Sequence, residues 1–157
     1  MDRIAKALFA CAGLVAGLTV LATPSHAQDG VAPSPGQEIV LITGSTSGLG
    51  REVALRMGQR GAHVIVHGRD RDRGLAVAAE INAGPGTARF YAADFADFEN
   101  VRSLAAAVLA DYDRLDVLVN NAGFGSAPDE RWVSEDGHEF RFQVNYLSPF
   151  LLTNLLK

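Results

Sequence analysis

Along residues 38–157, short and nearly unbroken apolar runs alternate with longer stretches whose apolar residues recur at helical spacing. The pattern predicts strands over 39–43, 62–67, 87–92 and 115–120, and helices over 48–60, 71–82 and 98–112. A turn, Ala83-Gly84-Pro85-Gly86, precedes the third strand, and a glycine-rich loop runs from the fourth strand through Gly125. Strands this rich in Val, Ile and Leu belong to a parallel sheet covered on both faces. The expectation is therefore an α/β fold: a Rossmann-like, doubly wound parallel sheet of four βα units with a closing helix. Right-handed crossovers and one reversal after the third strand give the strand order 3-2-1-4. That order sets the turn at 44–50 beside the loop at 120–123, where open α/β sheets bind their ligands.

The two ends of the chain read differently. Over 138–157, Phe140, Val144, Leu147, Leu151 and Leu155 form one helical stripe, which Phe150, Leu152 and Leu156 broaden. Pro149 is expected to kink or restart this helix near Ser148. The extra apolar width predicts a partner for 140–156: more of the chain, a second copy in a homo-oligomer, or another protein. At the other end, Arg3 and Lys6 precede an apolar run over 7–22, then Pro24-Ser25-His26-Ala27. This is the layout of a secretory signal peptide over 1–27, cleaved after Ala27, which implies an exported or periplasmic domain. An uncleaved membrane anchor is the alternative, since the run over 7–22 falls only slightly short of the about 20 apolar residues a span needs. Residues 28–37, rich in Pro and Gly, read as a linker to a domain over 38–157.

Composition narrows the chemistry. The chain has 157 residues, of which 48% are hydrophobic, enough for one domain with a core. A formal net charge of −4 without a basic patch argues against nucleic acid as a partner. The single cysteine, Cys11, lies in the leader, so a processed chain forms no disulfide. His63 and His67 are four residues apart in a strand, about 13 Å, too far for one metal ion, and read as strand-face residues.

The chemistry-bearing motif is Thr43-Gly44-Ser45-Thr46-Ser47-Gly48-Leu49-Gly50, between a strand and a helix. Such a turn presents backbone N–H groups to a phosphate. Gly44 suits the tight turn, Gly48 close approach to a pyrophosphate, and Gly50 tight packing of helix on strand. No Gly-Lys-Ser/Thr follows, which excludes a P-loop, and G-x-S-x-G is not formed, which excludes a hydrolase nucleophile elbow.

The T-G-x-x-x-G-x-G spacing resembles the fingerprint of the short-chain dehydrogenase/reductase family. Three further pieces match it in order: Asp94-Phe95 after the third strand, Asn120-Asn121-Ala122-Gly123 after the fourth, and Asn145 on the closing helix. Asp136-Gly137-His138-Glu139-Phe140 and the run over 150–156 look most like the retinol dehydrogenase-like branch. The resemblance implies an oxidoreductase acting on a carbonyl or alcohol substrate with a nicotinamide dinucleotide. It further implies that Thr43, Gly44, Ser45, Ser47, Gly48, Leu49 and Gly50 bind the cofactor. Asp94 and Phe95 would face the adenine, and Asn145 would be catalytic. Among the cofactor-site residues Asn120, Asn121, Ala122 and Gly123, the asparagines would tie the strand end to neighbouring backbone and the glycine would leave room for the ribose and nicotinamide. The second strand ends His67-Gly68-Arg69, a guanidinium suited to a 2′-phosphate rather than a carboxylate suited to a 2′-hydroxyl, so NADP(H) is expected over NAD(H).

The family also uses a Ser and a Tyr-x-x-x-Lys. Position four after Tyr91, Tyr112 and Tyr146 is Phe95, Asp116 and Phe150, so these 157 residues carry only the Asn of that set. The expectation is a cofactor-binding portion, truncated before the catalytic Tyr and inactive alone. The alternative is a non-catalytic nucleotide-binding or interaction domain. A methyltransferase of similar fold is disfavoured by Arg69 and by Asn120 to Gly123.

Overall fold

Ile39, Val40, Leu41 and Ile42 are all buried, as a strand with helices on both faces requires, in the computed structural model, which describes residues 29–125 and 131–157. The elements run β1 (Asp29–Gly30), β2 (Ile39–Ile42), α1 (Gly48–Gln59), β3 (His63–Gly68), α2 (Arg71–Asn82), β4 (Thr87–Ala92), α3 (Phe98–Asp111) and β5 (Val117–Val119). The chain then closes through α4 (Phe140–Phe142), a π-helical segment (Gln143–Leu147) and α5 (Ser148–Leu155). The leader over 1–27 lies outside the described residues. No helix among the described residues is long and apolar enough to cross a membrane.

The sheet order is β1-β4-β3-β2-β5, with β2 to β5 mutually parallel. Val40 stands beside Val64 on one side and Val117 on the other. The four parallel strands thus take the order read from the sequence. One face of the sheet packs Val40, Ile42, Val64, Val66 and Phe90 against Ala54 of α1 and Val77, Ala78 and Ile81 of α2. The other packs Leu41, Ile65 and Tyr91 against Val101, Leu104 and Val108 of α3 and Leu152 of α5. Neither face is open, which is why these strands tolerate no polar alternation.

Two details depart from the sequence reading. First, the expected linker over 28–37 contributes a strand: Asp29 and Gly30 pair antiparallel with Phe90 and Arg89, and Val31 N donates to Ala88 O at 2.9 Å. The edge of β4 offers unpaired backbone groups to any extended segment. Gly30 fits because its φ is +147° and a Cβ there would lie 2.2 Å from Ala88 O. Second, β5 is shorter than 115–120 because Asp116 turns to the neighbouring strand, its Oδ2 accepting from Ile39 N at 2.7 Å. The closing helix restarts at Ser148, as expected from Pro149, after a π-helical segment over Gln143–Leu147. Pro149 falls in the first turn of α5, and its missing N–H leaves the Asn145 carbonyl without a donor four residues on. Ser148 N donates to Gln143 O, five residues back.

Helix starts differ in a way that bears on function. Asp70 Oδ1 accepts from Arg73 N at 3.0 Å to cap α2, and Asp97 Oδ1 accepts from Glu99 N at 2.8 Å to cap α3. Ser47, at the start of α1, makes no side-chain cap, and no acidic residue stands in the first turn. The leading N–H groups of α1 are left for another acceptor.

Candidate functional site

Above the C-terminal ends of the strands lies a cavity of about 340 Å³, lined by the glycine turn, the end of β3, the segment after β4 and the loop after β5. Thr43 holds its floor. Its buried Oγ1 accepts from Asn121 N and Ala122 N, both at 3.0 Å, and donates to Val119 O at 3.3 Å. Asn121 answers with Nδ2, donating to Thr43 O at 2.9 Å and Gly44 O at 3.2 Å. The first and fourth parallel strands are thus tied at their ends by side chains that the two motifs contribute.

The glycines have separable reasons. Gly44 has φ +66°, and a Cβ would sit 2.8 Å from Ala122 Cα. Gly48 has φ +55° with open space where its side chain would be, so a ligand can approach its backbone. Gly50 is buried against Gly44 O and Asn121 Nδ2. Ser47 and Leu49 line the cavity and are exposed, whereas Ser45 is fully buried and points away. Ser45 N donates to His67 O at 2.8 Å, and Ser45 Oγ accepts from His67 N at 3.0 Å. Ser45 therefore ties the turn to β3 and does not face the cavity.

Arg69 stands exposed at the cavity mouth, its Nη1 3.5 Å from Asp94 Oδ2. Asp94 Oδ1 also accepts from Ala96 N at 2.9 Å, which fixes the carboxylate. Phe95 is buried with a ring face at the cavity, and its carbonyl accepts from Ser148 Oγ at 2.6 Å. Ala122 and Gly123 line the far wall. Asn120 does not: it is exposed and donates through Nδ2 to Thr153 Oγ1 at 3.1 Å, outside the cavity. Successive residues at a strand end point to opposite sides, so only one of the two asparagines reaches inward.

Asn145 lies in the π-helical segment. Its Oδ1 accepts from Phe124 N at 2.7 Å, and its Nδ2 donates to Phe124 O at 3.1 Å. This pins the closing helix to the loop after β5. The residue four after Asn145 is Pro149, which has no N–H for the Asn145 carbonyl, so that carbonyl lacks its α-helical partner.

Three polar residues behind the cavity, Ser134, Gln143 and Ser148, were not singled out by sequence. Gln143 is fully buried, accepting from Ser134 Oγ and donating through Nε2 to Asp136 Oδ2 at 2.5 Å. The same Asp136 oxygen accepts from Phe98 N at 2.9 Å, joining the start of α3 to the closing helix. Ser148 anchors Phe95, as above. The signal in each case was a polar residue inside an apolar stripe, which marks a buried hydrogen bond as often as a solvent face. His67, read from the sequence as a strand-face residue, instead lines the cavity.

The two histidines of β3 are engaged separately. His63 hydrogen-bonds Thr87 Oγ1 at 2.8 Å and Tyr112 OH at 2.9 Å, at the opposite end of the strand from the cavity. Burial lowers its pKa to about 4, with the Arg89 charge adding to the effect. Burial lowers that of His67 to about 4 as well, against the opposing pull of the Ala93 carbonyl and the Asp94 carboxylate. Both rings are therefore neutral in the fold and protonate more readily once unfolded. The unfolded chain takes up the extra protons, so stability is expected to fall as pH drops from about 6.5 through about 4. Urea midpoints measured across that window should decline, and His63→Gln should flatten part of the decline; a flat wild-type profile would contradict the buried neutral rings. Among the described residues, no group of three His, Cys, Asp or Glu side chains is placed to hold a metal ion.

The family model described as short chain dehydrogenase matches residues 38–157. The chain belongs to the short-chain dehydrogenase family. Among curated members it is similar to retinol dehydrogenase 13 of Homo sapiens, 37% identical over 150 residues, covering 92% of this chain and 44% of that protein. It is also similar to retinol dehydrogenase 14 of Mus musculus, 42% identical over 129 residues, covering 74% of this chain and 38% of that protein. The chain therefore spans less than half the length of these short-chain dehydrogenases and falls with their retinol dehydrogenase-like branch. Among solved structures it resembles a metagenomic short-chain oxidoreductase in complex with NADP, with TM-score 0.67 and 33% identity, covering 76% of this chain and 54% of that one. It likewise resembles the NADH-dependent reductase A1-R′ complexed with NAD, with TM-score 0.66 and 26% identity, covering 76% of this chain and 50% of that one. The short-chain dehydrogenase fold of the relatives and the Rossmann-like sheet seen here agree.

Proposed function

We propose that this chain is the cofactor-binding portion of an NADP(H)-dependent oxidoreductase that acts on a carbonyl or alcohol. The observation that carries the reading is the convergence, in one cavity, of Ser47, Leu49 and Gly50 at the uncapped start of α1 and the exposed guanidinium of Arg69, with open space beside the Gly48 backbone at the same turn. These groups fit a dinucleotide. The α1 N–H groups and Gly48 would take the pyrophosphate, Arg69 the 2′-phosphate, and Asp94 and Phe95 the adenine side. Ala122 and Gly123 would leave room for the ribose and nicotinamide. When bound, the dinucleotide supplies or accepts the hydride.

The chain's own contribution is positional. Thr43 and Asn121 lock the two loops that flank the cavity, and Asn145 fixes the helix behind it. The Asn145 carbonyl, without its α-helical partner, suits the water-holding role that the family's Asn performs. Titration of the full 157-residue chain with NADPH and with NADH tests the proposal. Saturable binding, tighter for NADPH, without turnover of a panel of aldehydes and ketones is the expected result. Binding of neither dinucleotide would overturn the reading, and steady NADPH oxidation would overturn the inactivity of this portion alone.

A second reading rests on the exposed aromatics of the closing helix. Phe142, Tyr146 and Phe150 are each at least half exposed, and the first two stack at 5.3 Å between ring centroids. This face favours docking onto more of the chain, a second copy or a partner protein, and light scattering of the purified chain separates a monomer from an assembly. On the same footing, we propose that residues 1–27 direct export. Gln28 as the native N-terminus supports cleavage, and Met1 supports an anchor.

A further inference from the structure

His67 follows the apolar run Val64-Ile65-Val66 of β3 and is 2% exposed, yet it touches the phosphate turn at three points. Its backbone N–H donates to Ser45 Oγ and its carbonyl accepts from Ser45 N. Its ring nitrogen Nδ1 lies 3.2 Å from Gly44 N. An amide N–H can only donate, so Nδ1 must present its lone pair, and a neutral ring then carries its proton on Nε2. That Nε2 is enclosed and makes no hydrogen bond of ordinary geometry, the Ala93 carbonyl pulling on the ring, which lies 4.7 Å from Phe95 between centroids.

An orphaned buried donor destabilises a fold, and an apolar side chain at this place would not carry that cost. What the imidazole offers that leucine does not is an acceptor for the Gly44 N–H. We propose that His67 is a positioning residue of the dinucleotide site: its ring, as the Nε2–H tautomer, splints the Gly44 turn to β3 and thereby sets affinity for the pyrophosphate shared by NADPH and NADH. The inference rests on the dinucleotide reading above. His67 touches no reacting atom; it acts through the turn.

The consequence separates from an ordinary packing role. His67→Leu removes the acceptor together with the orphaned donor. It is expected to leave the urea midpoint unchanged or raised while weakening NADPH and NADH alike, by roughly fivefold to tenfold, the worth of one hydrogen bond. His67→Asn places Oδ1 near the position of Nδ1 and is expected to stay within about twofold of wild type for both dinucleotides, the amide replacing the lost acceptor. Equal losses in the Leu and Asn variants, a loss confined to one dinucleotide, or no loss in either would overturn the proposal.

A measurement on the wild-type protein does not depend on folding of the variants. Ring ¹⁵N shifts at neutral pH should show the Nε2–H tautomer, and the Gly44 amide should exchange slowly. A protonated Nδ1 overturns the splint whether or not any ligand binds. If wild type binds neither dinucleotide, the cofactor reading fails, and the tautomer together with Gly44 exchange still decides the splint.

Discussion

Gly50→Ala is expected to cost about 3 kcal/mol in stability of the turn, the sum of overpacking and unpaired buried polar groups. Dinucleotide affinity should fall by about a hundredfold with it. The reason is space, not backbone conformation. A Cβ at this position would stand 2.3 Å from Asn121 Nδ2 and 2.4 Å from Gly44 O. Neither atom is free to give, because Asn121 Nδ2 is bonded to both Thr43 O and Gly44 O. Moving it leaves the carbonyl of the fully buried Thr43 without that donor. Gly48→Ala is the control: its φ of +55° is strained for alanine, but nothing lies within 4 Å. It should cost only about 1–2 kcal/mol, the price of a left-handed residue. Thermal or urea unfolding of the two variants, followed by NADPH titration, reads the contrast. Similar losses of stability in both would show that Gly50 is not packed as described; the titration is read for Gly50→Ala alone, since Gly48→Ala also crowds the approach of the pyrophosphate.

The contrast between these glycines also shows what a sequence can and cannot convey. That a glycine stands at 44, 48 and 50 was visible, as was its place between a strand and a helix. The strands themselves were legible because a doubly covered parallel strand has no polar face to show, as in Val64-Ile65-Val66. The order of those strands followed from the handedness of crossovers. What stayed hidden depended on partners distant in sequence. Strand β1 is only two residues long, and its cause lies in the open edge of β4 rather than in its own composition. Gln143 reads as a solvent-facing position until Ser134 and Asp136 fold over it. Asn120 and Asn121 are chemically identical, and only the geometry of the strand end sends one to Thr43 and the other to Thr153. The spacing of His63 and His67 speaks only to metal binding, and a histidine that serves a backbone amide carries no signature in spacing.

The arginine at the cavity mouth gives the sharpest test of cofactor choice. On the NADP(H) reading, Arg69→Ala is expected to weaken NADPH by roughly tenfold while leaving NADH within about twofold. Hydrogen bonds to a charged group contribute about 1.5–3 kcal/mol, and the low end applies here because the Arg69 side chain is 61% exposed. The existing pair with Asp94 does not forbid the phosphate. At 3.5 Å and with the carboxylate 42% exposed, it is a surface ion pair worth at most about 1 kcal/mol, which a dianionic phosphate outcompetes. The NADPH preference should also shrink as salt is raised, since the contact is open to solvent. Reversal toward NADH needs more than deleting the cation. Gly68 ends β3 beside Arg69, and a Cβ there would come 2.6 Å from Thr46 Cγ2. Gly68→Asp can therefore be accommodated only if Thr46 turns aside, so it should gain NADH affinity only together with Thr46→Gly. If Arg69→Ala weakens both dinucleotides equally, the guanidinium is holding the fold of the mouth through Asp94. Its assignment to the 2′-phosphate would then fail.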